Sequence, residues 1–477
     1  MNDIPDWALK YKTKGIQIRR FGNNLYAYHP RSVYDKIKKK PKSLSPEYLG
    51  VVTRNGIVKK GDVSGIRGDY EYGNIALLYG IAENTFLPML RKTFPYMYER
   101  IIAYVILRNI QPLPMKSILY TYEKTYLSRI LDEGMSAKSI SSMLSSLPHD
   151  SCNEMMRSLT EKGEYVLMNS TAIFSRSVNM SILELGHNAH DIHIPQINVM
   201  MLFSSTRTMP TFIRILPGSI RDVTSMATTM DIAGIERCVV ISDKGFYSLD
   251  NIRNLRKKHL SFIIPMRRNS SLIPGMDEFS GVFLYDGRPV KYWRPVDGIY
   301  AFEDPVLRME EEKDYLIRVN EGKDSRKSFL ADSQDFGKIH LLSDLKEEPE
   351  RIYRLYKQRE YVEYAFNVYK NDLETDRSYL RDDGMLFVYM FLNLLSLYLH
   401  FQILNMIDGK YSVRDVLLIL SRIKIYDLGK QEILGEIPKK ARELVQDLKI
   451  NLDILRKSDE LRLNSILSTH QPLSILY

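Results

Sequence analysis

The sequence predicts an α/β protein built on a mixed sheet with flanking helices. Three observations predict it. Residues 164–265 run as a strand, a strand hairpin, a helix, a strand, a helix and a strand. Within them Cys238–Ile241 (CVVI) is short and wholly apolar, the pattern of a strand buried on both faces. Residues 349–374 and 385–407 then repeat apolar residues at helical spacing. The composition agrees. With 44% hydrophobic and 26% charged residues, the chain is neither disordered, collagen-like nor a coiled coil. Its 477 residues suit about two to four domains.

The elements follow in order. Residues 1–75 form a basic region with short strands at 16–20 and 25–28 and a basic turn or loop at 36–42 (KIKKKPK). That run is a solvated surface or a phosphate contact. Residues 76–157 are helical, with a serine-rich helix over 136–147. The core starts at residue 158. It has strands at 164–175, 196–204 and 211–216, the last two joined by the polar turn 205–208 as a hairpin. Asp222 stands at an N-cap position before a helix to about residue 232. After Cys238–Ile241 come a helix over 247–259 and a strand over 260–265. Residues 268–346 read as a β-rich insertion with strand-like runs GVFLY, PVKYW, YAF and DYLIRV. One long helix covers 349–374, in a core segment of 347–380, and a helical region runs from 381 to 477. Residues 385–407 are long enough to span a bilayer. Asn393, Ser396 and His400 line one face there, which fits a buried core helix with a polar stripe.

Charge and cysteine usage narrow the partners. Lys and Arg number 67 against 58 acids, a net charge of +9, and the pI near 9.1 favours a polyanionic partner. Cys152 and Cys238 cannot build a disulfide framework or a cysteine zinc site, so a reducing, cytoplasmic location is expected. The start, MNDIPDWALKYK, has no apolar run of a secretory signal.

The helix over 349–374 carries the chemistry. At 100° per residue, Tyr356, Arg359, Glu363 and Lys370 fall within about 60° of one another. Leu355, Val362, Phe366, Tyr369 and Leu373 form an apolar stripe beside them. Such spacing is met by a surface ion-pair ladder, which geometry alone favours. It is also met by a carboxylate that holds a metal between cations that hold phosphates.

The spacing Tyr356-x2-Arg359-x3-Glu363-x6-Lys370 resembles the Y-x2-R-x3-E-x6-K signature of cut-and-paste insertion-sequence transposases of the "insertion sequence four" superfamily. That family has an RNase H-like catalytic core with acids on the first strand, just after the fourth and on a later helix. The resemblance places Asp243, in ISDKGFYS, as the second acid and Glu363 as the third. Residues 218–222 resemble the family's glycine-to-aspartate loop, and the family carries a β-rich insertion at the place found here. The first acid falls in the strand 167–171, where Asn169 stands in its place. Glu164 lies five residues upstream, on the opposite face and about 17 Å away along a strand. Asp191 and Asp222 are loop alternatives.

The resemblance implies a DDE transposase that binds double-stranded DNA, both terminal inverted repeats and target, as a homodimer in a prokaryotic nucleoid. It implies two Mg²⁺ ions, replaceable by Mn²⁺, held by Asn169, Asp243 and Glu363, with Tyr356, Arg359 and Lys370 on phosphates. Trp293 is placed as a wedge that stacks a flipped base, or as a tryptophan of a small β core. Two other functions remain open: an inactive transposase-derived DNA-binding regulator, which Asn169 supports, and an RNase H-like nuclease that cuts without joining. His187, His190 and His193 (HNAHDIH) lack the spacing of a standard zinc site and read as a polar loop. Arg267 and Arg268 follow the last core strand and are candidates to face DNA.

Overall fold

The computed structural model describes residues 4–455 except 22–23, 36–38, 54–55, 59–65, 132–133, 162–165, 175–179, 186–194, 221–222, 236–237, 242–246, 274, 276–277, 373–381, 408 and 430. At the N-terminus a short helix, α1 (Asp6–Leu9), packs beside a four-stranded antiparallel sheet. Its strands are β1 (Gln17–Phe21), β2 (Asn24–Asp35), β3 (Lys40–Thr53) and β4 (Gly56–Val58), in that order. Ile18, Leu25, Ala27 and Val52 give this sheet a small core of its own.

Strand β5 (Gly68–Glu71) leads into a helical block: α2 (Gly73–Asn84), α3 (Leu87–Thr93), α4 (Tyr98–Ile110), α5 (Ile118–Lys124), α6 (Leu127–Ile130), α7 (Ala137–Ser146) and α8 (His149–Arg157). Ser136 caps α7 by accepting the Ser139 N–H, at the expected start of the serine-rich helix.

The core follows: β6 (Val166–Phe174), β7 (Gln196–Ser204), β8 (Met209–Pro217), α9 (Val223–Ala233), β9 (Cys238–Ile241), α10 (Leu249–Lys257) and β10 (Ser261–Pro265). Strands β6, β9 and β10 are parallel, and β7 is antiparallel to both β6 and β8. Read across, the core order is β8-β7-β6-β9-β10, third-second-first-fourth-fifth. This is the RNase H-like sheet. Every residue of β9 is buried, as its apolar run requires.

The segment after β10 carries the expected strands and two helices besides. It contains β11 (Gly281–Tyr285), β12 (Arg288–Val296) and β13 (Ile299–Glu303), then α11 (Pro305–Asn320), α12 (Phe329–Asp332) and β14 (Lys338–Ser343). The strand-like run DYLIRV lies inside α11. Asp304 caps that helix with Pro305 in its first turn, a start signal that overrides local β propensity. Strand β14 pairs antiparallel with β10, and β11-β12-β13 continue outward from it, so the sheet reaches nine strands.

Helices α13 (Pro349–Lys357) and α14 (Arg359–Asn367) come next, then a π-helical turn over Val368–Asp372. The described residues close with α15 (Asp383–Met406), α16 (Val413–Leu420), β15 (Lys424–Asp427), β16 (Glu432–Leu434) and α17 (Lys439–Asp447). Strand β15 returns to pair with β5. Helix α15 is apolar and long enough to cross a membrane, yet most of it is buried inside the fold. Phe401 meets Phe203 of β7 edge-on at 5.5 Å. Its polar stripe is satisfied internally. Asn393 accepts from the buried Arg108 at 3.2 Å, and Asn109 donates to the Ser396 carbonyl at 3.0 Å.

Candidate active site

Strand β6, between β7 and β9, carries Asn169. Met168 pairs with Val240 of β9, and one step further along both strands stand Asn169 and Ile241. Asp243 follows two residues after Ile241 and lies outside the described residues. Asn169 is half-buried, and its Oδ1 accepts the Ser170 N–H at 2.8 Å. Two residues on, and so on the same face of the strand, is Thr171.

The helix carrying Glu363 packs against β6. Lys370 Nζ donates to Thr171 Oγ1 at 2.7 Å, across 199 residues of sequence. The lysine of the four-residue pattern is therefore tied to the strand of Asn169. No local pattern signals this contact.

The expected single helix over 349–374 is corrected to two helices and a π turn. At Gln358 the Tyr361 N–H reaches back only three residues, and the Gln358 side chain donates to the Ser205 carbonyl in the β7–β8 turn at 3.0 Å. That contact sits at the junction of α13 and α14. The π turn carries Lys370, and such turns recur at functional sites. Arg359 joins its two neighbours: its guanidinium lies 5.5 Å from the Tyr356 ring, and its Nε pairs with Glu363 at 3.1 Å. Glu363 is about half exposed, so the pair is screened and worth less than 1 kcal/mol. The apolar stripe forms as expected, with Leu355, Val362, Phe366 and Tyr369 buried.

Tyr356 and Arg359 also line a cavity of about 550 Å³ with Met266, His340, Glu310 and Glu311. Arg268 is committed here. It donates to Glu311 at 2.7 Å and to the Lys338 carbonyl at 2.9 Å. Arg267 is exposed. Trp293 lies half-buried in β12 opposite Ala301. Glu164, Asp191, Asp222, His187, His190 and His193 lie outside the described residues.

The loop after β8 is held from within the sheet, by residues the sequence did not single out. Asn198 Nδ2 donates to the carbonyls of Gly218 and Ile220, each at 2.8 Å, and is fully buried. Glu184 accepts from the Ser219 hydroxyl. A Cβ at Gly218 would overlap the Gln196 and Glu184 carbonyl oxygens. Gly218→Ala should therefore cost about 1–3 kcal/mol of stability, measured by urea unfolding. A loss below about 0.5 kcal/mol would show that the backbone gives way.

Two buried histidines should make the fold acid-sensitive. Burial pushes His340 and His400 down to about 4 from the usual 6.5, with Lys338 and Arg268 adding to the effect at His340. Both ring nitrogens of His340 lack a partner among the described residues. Between pH 6.5 and 4 the unfolded chain takes up protons that the folded chain refuses. Stability is thus unaffected by these groups above 6.5 and falls as pH drops to about 4, by about 3 kcal/mol for each. Replacing either histidine by Gln should flatten this part of the curve of stability against pH. An unchanged slope in both variants would remove the histidines as its cause.

The three positions offer two carboxylates and one amide. That set fits one hard cation and is one carboxylate short of what two require. Among the described residues, no three His, Cys, Asp or Glu groups cluster as a metal site.

Residues 177–399 match the family described as the transposase DDE domain, a family that uses divalent metal ions. The matched span begins just beyond β6, so it contains Asp243 and Glu363 but not Asn169. No curated protein matches the chain in sequence. Among solved structures, a piggyBac transposase synaptic complex with hairpin DNA is similar at 11% identity, with a TM-score of 0.36. The likeness covers 80% of this chain and 77% of that one.

Proposed function

From the transposase DDE domain across residues 177–399, we propose that the chain binds the terminal inverted repeats of a DNA element and moves it by cut-and-paste transposition. The centre is assembled from positions 169, 243 and 363. The observation that carries this reading is the Lys370–Thr171 bond, which docks the helix of Glu363 onto the strand of Asn169. Asp243 and Glu363 would hold a divalent ion, with the Asn169 amide oxygen as a neutral third donor; when bound, the ion supplies Lewis-acid stabilisation of the phosphoryl oxygens. Mg²⁺ is the natural choice for a carboxylate and amide set, with Mn²⁺ as a substitute.

The remaining roles belong to the chain's own groups. Arg359, paired with a half-exposed Glu363, would hold a DNA phosphate if Glu363 held the ion. Tyr356, under the Arg359 guanidinium, orients it. Trp293 stays a candidate for stacking a displaced base. Joining two ends calls for a homodimer on DNA. Asn169 brings no negative charge, so the unmodified chain binds ends and cleaves them slowly.

Asn169 also favours a second reading, an inactive DNA-binding regulator descended from a transposase. Strand transfer of labelled terminal repeats separates the possibilities. Joined products from the Asn169→Asp chain support transposition. Cuts without joining point to a nuclease. Binding without either product, in both chains, points to the regulator.

A further inference from the structure

The far end of the β2–β3 hairpin leaves the body of its sheet. Residues 29–34 and 39–45 are all exposed. Five cross-strand pairs run from Arg31 opposite Leu44 to Asp35 opposite Lys40. One face carries Arg31, Val33, Lys40, Lys42 and Leu44, and the other Ser32, Tyr34, Pro41 and Ser43. Val33 and Tyr34 are 56% and 61% exposed. A two-stranded ribbon open on both faces is marginal by itself. Here the small core of Ile18, Leu25, Ala27 and Val52 supports only its base.

Charge identifies what covers it. Residues 10–60 hold fourteen Lys and Arg against two acids, Asp35 and Glu47, a surplus of twelve. The whole chain carries +9, so everything outside this segment sums to −3. The protein's basic character belongs to the segment 10–60, whose described strands carry Arg19, Arg20, Arg31, Lys40 and Lys42. A second copy of the ribbon is a poor partner, because pairing would set Arg31, Lys40 and Lys42 against like charges. A polyanion suits it. Two strands about 5 Å apart with their side chains match a groove about 12 Å wide, and five pairs extend about 17 Å.

We infer that the β2–β3 ribbon is an arm that lies in a groove of double-stranded DNA. Arg31, Lys40 and Lys42 contact the phosphates of its walls, and Tyr34 packs on the sugar edge. The inference rests on the DNA-acting function proposed above and adds the surface that grips the duplex without regard to sequence.

The test uses the full chain and a labelled random-sequence duplex in EDTA, followed by fluorescence anisotropy over a range of salt. Arg31→Gln, Lys40→Gln and Lys42→Gln combined should lower the slope of log K against log salt by about 2–3, since each phosphate contact contributes about 0.9. Affinity near physiological salt should fall at least about tenfold. Tyr34→Ala alone should weaken binding and leave the slope unchanged, so a folding fault in the triple variant cannot decide the outcome. Unchanged slope and affinity in a folded triple variant overturn the arm while leaving the DNA-acting function standing. Absence of duplex binding by the unmodified chain overturns both. Loss of self-association with DNA binding intact overturns the arm in favour of a contact between copies.

Discussion

Asn169→Asp should raise metal-dependent cleavage of a transposon end by about 10²–10⁴. The magnitude follows from the several kcal/mol a well-placed metal contributes to transition-state charge, at 1.36 kcal/mol per tenfold in rate. The substitution is nearly isosteric and sits half-buried on β6, so it should not disturb the fold. It adds one negative charge to those of Asp243 and Glu363. Lys370 already lies on that face through Thr171 and offsets part of the repulsion. End binding should stay within a few-fold, because positioning contacts to phosphate come from basic residues elsewhere. A nicking assay on a labelled end in Mg²⁺ or Mn²⁺ checks both expectations. Equal rates for the two chains, with binding intact, would reject position 169 as the missing acid.

Asp304→Ala should be the most destabilising single change outside the site, by about 3–5 kcal/mol. Asp304 is wholly buried and does three things at once. Its Oδ1 caps α11 through Val306 N–H at 3.0 Å. Its Oδ2 accepts from Tyr353 Oη at 2.6 Å and pairs with Arg288 at 3.2 Å. Tyr353, on α13, is packed by Phe283, Tyr285 and Phe302 of the strands in the insertion, with ring centroids 5.1–5.3 Å away. Deleting the carboxylate leaves a guanidinium and a buried phenol uncompensated. It also loosens the insertion's grip on the helix that leads to Arg359 and Glu363. Urea unfolding should show the loss, and Asp304→Asn should recover part of it by keeping the cap. A loss under about 1 kcal/mol would mean that water replaces the carboxylate.

Local signals made much of the core legible. The CVVI run, the polar turn 205–208 and the apolar stripe of α14 each report a burial pattern that one element's own residues encode. The helix of Asn393, Ser396 and His400 was legible for the same reason. Pairings between distant segments were not. Nothing in KIHLLS says that β14 pairs with β10, so the insertion's strands could not be seen to continue the core sheet. DYLIRV alternates like a strand, and only the Asp304-Pro305 start shows that it belongs to a helix. At the site, the types and spacing of Tyr356, Arg359, Glu363 and Lys370 were readable. The break at Gln358 was not, and its side-chain contact with Ser205 lies 153 residues away in sequence. Asn198 and Glu184 had no motif to mark them, because their partner is the backbone of a loop about twenty to thirty-five residues on.

The central claim is that positions 169, 243 and 363 share one ion. Mn²⁺ binding, followed by electron paramagnetic resonance of the free ion, tests it on four chains: unmodified, Asn169→Asp, Glu363→Gln and the double variant. Asn169→Asp should tighten Mn²⁺ binding at least about tenfold, and most of this gain should disappear when Glu363→Gln is added, a coupling of more than about 1 kcal/mol. Additive effects of the two changes, or a gain that survives the loss of Glu363, would contradict it.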